Sequence, residues 1–258
     1  MKKNIFIILL NVLIFSLCAQ TFEGKGFESP EKAAKEYLNA MKKCDYDEII
    51  KCYSIETFVE NYNIDQYIKR LNCAPLTMKM IYPEDTFLKQ TGKYEVLDSI
   101  IRMIKFQVWN LNENNFFKNA ETVVVEDSSQ NLINQVFPLE ARKKLSSINF
   151  KEVVSVDSFL IYLRTGDFSS DVSDYEEEID IYEQGINQYH EKMKLIYGCK
   201  NIQDVIVKFS IHGKEYYFIT ETIEYENGWY ISPNQGIIAN LIGMAASSGC
   251  IVSADELY

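Results

Sequence analysis

The chain has 258 residues and a formal net charge of −11, and 47% of its residues are hydrophobic and 13% aromatic. This hydrophobic content is enough for a folded core and excludes a disordered chain. The acidic charge would repel phosphate groups, so we expect no binding to nucleic acid.

The first twenty residues have the pattern of a bacterial signal peptide. Two lysines precede an apolar run at residues 4–17, and small residues follow that run. The run is shorter than the ~20 residues that a membrane-spanning helix needs. We therefore predict that residues 1–19 are a signal peptide, cleaved between Ala19 and Gln20. The mature protein is then expected in the periplasm or at the cell surface of a bacterium, without a transmembrane segment.

A second interpretation makes Cys18 the lipid-modified cysteine of a lipoprotein. Lipoprotein signals usually have a small residue directly before that cysteine, whereas Leu17 occupies this position here. The prediction therefore favours simple cleavage and keeps lipid attachment at Cys18 as the alternative.

The other cysteines number five, which leaves at least one thiol unpaired even in an oxidising compartment. These cysteines are Cys44, Cys52, Cys73, Cys199 and Cys250, and their pairing is left open.

The sequence has no familiar catalytic or metal-binding motif. No C-x-x-C, H-E-x-x-H or G-x-S-x-G motif occurs, so we predict no metal site, no cofactor and no catalytic residue.

The N-terminal part of the mature chain is predicted to be helical. Ser29 is a suitable N-cap, and Pro30 fits the first position of a helix. Asp45 and Glu48 form a capping box, which predicts that a second helix begins there. A third helical stretch is expected at residues 55–71.

The middle of the chain has a mixed pattern. Helical spacing of apolar residues predicts a helix at 96–111, and another is expected at 130–145 with a break at Pro138. A β-branched run predicts a strand at 122–126. Alternation of apolar residues predicts a further strand at 159–163.

The last third contains the most regular patterns. Residues 174–197 repeat Ile and Tyr in steps of three and four before Gly198, which predicts one long helix. Alternating apolar residues and the Asn227-Gly228 turn then predict a three-stranded β-meander. We therefore predict an α+β fold, with N-terminal helices packed on a curved antiparallel sheet. Residues 20–258 are expected to form a single elaborated domain, with a sub-boundary near 119–128.

Two segments resemble nuclear-transport-factor-2-like domains, especially their exported bacterial members. The first, residues 29–53, has a Ser-Pro-Glu start, an Ala-rich helix and the acidic-aromatic pair Asp45-Tyr46. The second, about residues 204–232, ends in Gly-Trp-Tyr-Ile. The resemblance implies a cone-shaped α+β fold with a pocket at its open end. Members of the family bind small hydrophobic ligands, act as isomerases or hydratases, or dimerise.

This chain is nearly twice as long as such a domain, so residues 72–174 would be an elaboration of it. His190 follows Tyr189 on the predicted long helix and is expected to face solvent. The residues that we predict to line a pocket are Tyr37, Met41, Phe58, Tyr62, Phe209, Tyr217 and Trp229.

Together these patterns predict a non-catalytic protein that binds a small apolar ligand or a protein of the cell envelope. One alternative is an isomerase-like or hydratase-like enzyme with a carboxylate base, which would need a buried carboxylate of raised pKa in a cleft. The other is a structural subunit that forms a homodimer through its sheet, which would need an exposed apolar sheet face.

Overall fold

The predicted mixture of helices and an antiparallel sheet is confirmed by the structure, a computed structural model. It describes residues 21–71, 86–112, 136–167, 172–242 and 250–257. The sheet has five strands, in which β1 to β4 follow chain order and β5 pairs with β3. The strands are β1 (Asn149–Val154), β2 (Asn201–Ile211), β3 (Lys214–Tyr225), β4 (Gly228–Ile231) and β5 (Ile251–Ser253).

Strands β2, β3 and β4 form the predicted meander. The turn between β2 and β3 is made by His212 and Gly213, which both have positive φ angles of 50° and 84°. Gly228 makes the next turn with a φ of 123° and packs against the backbone of Gly26, where a Cβ would not fit. Both turns are therefore short, and they hold the strands in a single register.

Nine α-helices are found in the described residues, and six of them precede β1. All nine are α1 (Pro30–Lys43), α2 (Tyr46–Ile50), α3 (Ile55–Asn61), α4 (Ile64–Leu71), α5 (Thr86–Asn112), α6 (Leu139–Leu145), α7 (Val156–Thr165), α8 (Glu176–Tyr197) and α9 (Ile237–Leu241). No helix of the described residues is long and apolar enough to cross a membrane.

The caps of the first two helices are confirmed. The Ser29 hydroxyl accepts a hydrogen bond from the backbone of Lys32 at 3.2 Å, and Asp45 accepts one from the backbone of Glu48 at 3.1 Å. The predicted third helix is two helices, because the chain turns after Tyr62. There the Asn63 amide donates to the carbonyl of Ile196 at 2.6 Å, which ties the turn to α8.

Two expectations for the middle of the chain are corrected. Residues 159–163 lie in helix α7 and not in a strand, because Ser155 caps a helix whose consecutive residues Phe159, Leu160 and Ile161 are all buried. Strand β1 was not predicted, since its residues are mostly exposed and carry no alternation. The strand predicted at 122–126 lies outside the described residues.

Helices cover both faces of the central strands. Helix α1 packs on one face of β2, β3 and β4, where the ring of Tyr37 stacks on Phe218 with centroids 5.0 Å apart. Helices α7 and α8 pack on the opposite face of β2, and α9 contacts β3. Phe159 of α7 contacts Tyr217 there, with ring centroids 5.3 Å apart. The central sheet is therefore the middle layer of the fold.

The thiols of Cys44, Cys52, Cys199 and Cys250 are free, and Cys250 is buried. Cys18 and Cys73 lie outside the described residues, as do Ala19 and Gln20 at the predicted cleavage site.

The stacked pair Tyr37–Phe218 should be a major contributor to stability, because both rings are almost fully buried. We expect Phe218→Ala to lower the free energy of unfolding by about 3–5 kcal/mol, since it removes a large core side chain and leaves a cavity. Urea denaturation measures this change. The matched control is Leu139→Ala, whose side chain is 83% exposed and should matter little. Equal effects of the two substitutions would contradict the placement of Phe218 in the core.

Candidate functional site

A cleft of about 660 Å³ opens between α4, α5, α8 and the segment after β4. Helix α4 contributes Tyr67 and Arg70, and α8 contributes Tyr189, Met193 and Tyr197. The other described residues that line the cleft are Tyr62, Ser99, Arg102, Met103, Phe106, Pro233, Asn234, Gln235 and Asn240. Its volume is in the range of small-molecule sites.

Aromatic rings form one wall of the cleft. Tyr62 contacts Tyr67 and Tyr197, with ring centroids 6.1 Å and 6.4 Å apart. Phe58 packs behind them, 5.4 Å from Tyr62 and 5.1 Å from Tyr197. Because these rings support one another in a packed cluster, the wall is a preformed apolar surface.

Helix α8 brings two tyrosines to the cleft because its residues repeat at helical spacing. Met193, Ile196 and Tyr197 are buried against Ile202 and Ile223 of the sheet. Tyr189 lies one turn before Met193, so its ring stands at the edge of this contact and borders the cleft.

Two buried carboxylates lie on the sheet face beneath α8. Asp204 of β2 and Glu221 of β3 are directly opposite each other in the strand register, and they are 4% and 0% exposed. The ring of His190 on α8 lies against Asp204, with Nε2 2.9 Å from Oδ2. Neither carboxylate oxygen of Glu221 forms a hydrogen bond of standard geometry with a described residue.

The environment of Glu221 favours its protonated form. The pKa of Glu221 is raised to about 8, mainly because the side chain is buried and also because the carboxylate of Asp204 lies nearby, while Ser232 and Arg70 offset part of the increase. The pKa of Tyr189 is likewise raised to about 12, mainly by burial and also by the nearby Glu221. The tyrosines of the cleft and the buried carboxylates are therefore close enough to interact electrostatically.

The backbone at Gly236 packs against both carboxylate residues. A Cβ at this position would clash with Oδ1 of Asp204 and would lie 2.8 Å from Cβ of Glu221. Only glycine lets the chain come so close, so the loop after β4 packs its backbone directly against both side chains.

The structure places the predicted pocket residues in three different environments. Tyr62 lines the cleft and Phe58 lies directly behind it. Trp229 lines a separate groove that also contains His190 and Asp204. The remaining four, Tyr37, Met41, Phe209 and Tyr217, are buried in the main core.

The expectation for His190 is corrected, because its side chain is only 12% exposed and bonds to Asp204. Its helix position was predicted, but the carboxylate beneath it was not. Asp204 and Glu221 could have been found together by counting outwards from the turn at Gly213, since this register pairs them. Arg70 carried no such signal, because α4 meets α8 only in the tertiary structure.

The described residues contain no group of three His, Cys, Asp or Glu side chains placed to hold a metal ion.

Comparison with protein-family models and with curated proteins finds no match. Among solved structures, the chain is similar to a cystatin-like protein from Ruminococcus gnavus ATCC 29149, with 11% sequence identity and a TM-score of 0.45. The match covers 87% of this chain and 44% of that protein, so the chain spans less than half the length of the matched protein.

The pKa of Glu221 predicts how stability should depend on pH. The ordinary pKa of a glutamate is 4.5, and in the folded protein it is about 8. Between these values the folded state holds a proton that the unfolded state has released, so the free energy of unfolding should fall as the pH rises.

In Glu221→Gln this fall should be smaller by on the order of 3 kcal/mol, because the amide does not titrate. Urea unfolding at several pH values between about 5 and about 9 measures the difference. The exposed Glu226, which pairs with Lys200, offers the control Glu226→Gln, which should keep the wild-type pH dependence. An unchanged pH profile in Glu221→Gln would contradict the raised pKa.

Proposed function

We propose that the protein is exported to the cell envelope and binds a small, largely apolar molecule in the cleft, without converting it. The observation that carries this proposal is the wall formed by Tyr62, Tyr67 and Tyr197, with Phe58 packed behind it, which offers a preformed apolar surface beside open space. A rigid aromatic wall loses little conformational freedom when a ligand binds.

The sequence supports the location. The lysine-led apolar run and the small residues around Ala19 are typical of export signals. The resemblance of residues 29–53 and 204–232 to nuclear-transport-factor-2-like domains also agrees with binding, because members of that family hold small hydrophobic ligands.

Binding is favoured over catalysis because Glu221, the carboxyl group whose pKa is raised, has no access to the cleft. Glu221 is fully buried, and the backbone at Gly236 packs directly on it. Asp204 is already bonded to His190. A general base must come within hydrogen-bonding distance of the proton that it removes, and this arrangement keeps the carboxylate away from the cleft.

Native mass spectrometry of the protein purified from its own cell envelope tests both parts of the proposal. We expect the mass of a chain that begins at Gln20. We also expect a bound small molecule that dissociates when the protein is unfolded. A mass that includes diacylglycerol on Cys18 would support the lipoprotein alternative. An intact signal segment would contradict export, and a homodimer without any ligand would favour the structural-subunit alternative.

A fluorescent probe tests the cleft directly. N-phenyl-1-naphthylamine is neutral and apolar, and we expect the protein to bind it with increased emission. Tyr62→Ala should weaken this binding by about tenfold, because it removes a ring from the wall. The control is Tyr94→Ala, whose side chain is 52% exposed and lies outside the cleft. Absence of binding by the wild type, or equal loss in both variants, would contradict the cleft as the binding site.

The raised pKa of Glu221 favours a second candidate, an isomerase-like or hydratase-like enzyme with this carboxylate as base. This function would require the loop at Gly236 to move. The test is to return the co-purified molecule to the protein in D₂O and follow deuterium at its carbon atoms by NMR. Exchange that disappears in Glu221→Gln would establish the enzyme, whereas no exchange with the wild type would eliminate it.

A further inference from the structure

The charges around the cleft differ from those of the whole protein. The chain has 37 acidic and 26 basic residues, yet the described residues that line the cleft include two arginines and no aspartate or glutamate. This local excess of positive charge would attract an anion to a protein that otherwise repels anions.

The two arginines have different partners. Arg102 forms an ion pair with Asp98 on the same helix, with Nη2 2.7 Å from Oδ2. Arg70 forms no ion pair with any carboxylate of the described residues. Its Nη1 lies 3.1 Å from the sulfur of Met193, and its Cζ lies 5.4 Å from the ring centre of Tyr189. A thioether is a weak acceptor and the ring face carries no formal charge, so the guanidinium keeps its capacity to bind an anion.

Two neighbours of Arg70 are compatible with an anion in the same place, because one can donate a hydrogen bond to it and the other repels it only weakly. Tyr62 lines the same cleft, and its hydroxyl is protonated at neutral pH, as in any tyrosine, so it is a second donor there. Glu221 is the buried carboxyl group near Arg70, and its pKa of about 8 keeps it mostly uncharged at pH 7. It therefore repels an anion less than an ordinary glutamate would.

We propose that the ligand is a small organic anion with a flat apolar body, and that Arg70 binds its anionic group. A sulfonate, sulfate or carboxylate oxygen would accept hydrogen bonds from the guanidinium while the apolar body lies against the wall of Tyr62 and Tyr67. This inference rests on the proposed function, because it names the class of molecule that the cleft binds.

Two dyes that differ only in the anionic group provide the test. 8-Anilino-1-naphthalenesulfonate has a sulfonate, and N-phenyl-1-naphthylamine has the same rings without it. We expect Arg70→Met to weaken binding of the sulfonate dye by about tenfold or more, since a charge-assisted hydrogen bond is lost. Binding of the neutral dye should stay within about twofold, which also shows that the variant is folded.

Arg102→Met is the matched control, because Arg102 lines the same cleft but is paired with Asp98. It should change the affinity for either dye by less than about twofold. A loss of sulfonate binding in Arg102→Met and not in Arg70→Met would overturn the assignment of Arg70.

The failures of the two proposals are distinguishable. If the wild type binds neither dye, the proposed function fails and the inference fails with it. If it binds both dyes and Arg70→Met weakens both equally or neither, the cleft still binds apolar molecules but the anionic ligand class is wrong. Arg70→Lys keeps the charge without the planar fork, so partial recovery of sulfonate binding is the result expected for direct contact.

Discussion

The pairing of β2 with β3 is the interaction on which the rest of the structure depends. The two strands are joined by a tight turn at His212 and Gly213 and remain in one register from Ile211↔Lys214 to Asn201↔Glu224. Because side chains alternate along paired strands, this register determines which residues meet each layer of helices. It also determines that Asp204 and Glu221 meet on the face beneath α8.

Burying two carboxylates side by side is costly, and the surroundings show how the cost is reduced. His190 bonds to Asp204, and the raised pKa of Glu221 lets that group remain protonated at neutral pH. The backbone at Gly236 also packs directly against both side chains. Buried carboxylates with a raised pKa commonly mark a functional region of a protein. In this protein the pair lies beneath the tyrosines of the cleft.

The cleft combines features that come from separate parts of the chain. Tyr62 and Tyr67 flank the turn that ties α4 to the end of α8, while Tyr189 and Tyr197 belong to α8 itself. Arg70 then reaches Tyr189 across the gap between these helices. The aromatic wall is rigid because its rings pack on one another, whereas the arginines give the site its charge. Helices cover both faces of the central strands, so a ligand has little access to the sheet itself. The cleft between α4, α5 and α8 offers open space instead.

The sequence by itself determined the elements whose signals are local. The caps at Ser29 and Asp45, the long periodic helix before Gly198 and the meander around Asn227-Gly228 were all predicted, because each depends on residues a few positions apart. Tertiary structure decided the rest. Phe159 and its neighbours became a helix because Ser155 caps it and consecutive residues are buried, which alternation alone did not reveal. Of the predicted pocket residues, Tyr62 borders the cleft whereas Tyr37 and Phe209 are in the core, since helical and strand periodicity show that a side chain is buried but not which cavity it borders. The position of Arg70 beside Met193, 123 residues further along the chain, depends on long-range packing that no local pattern records.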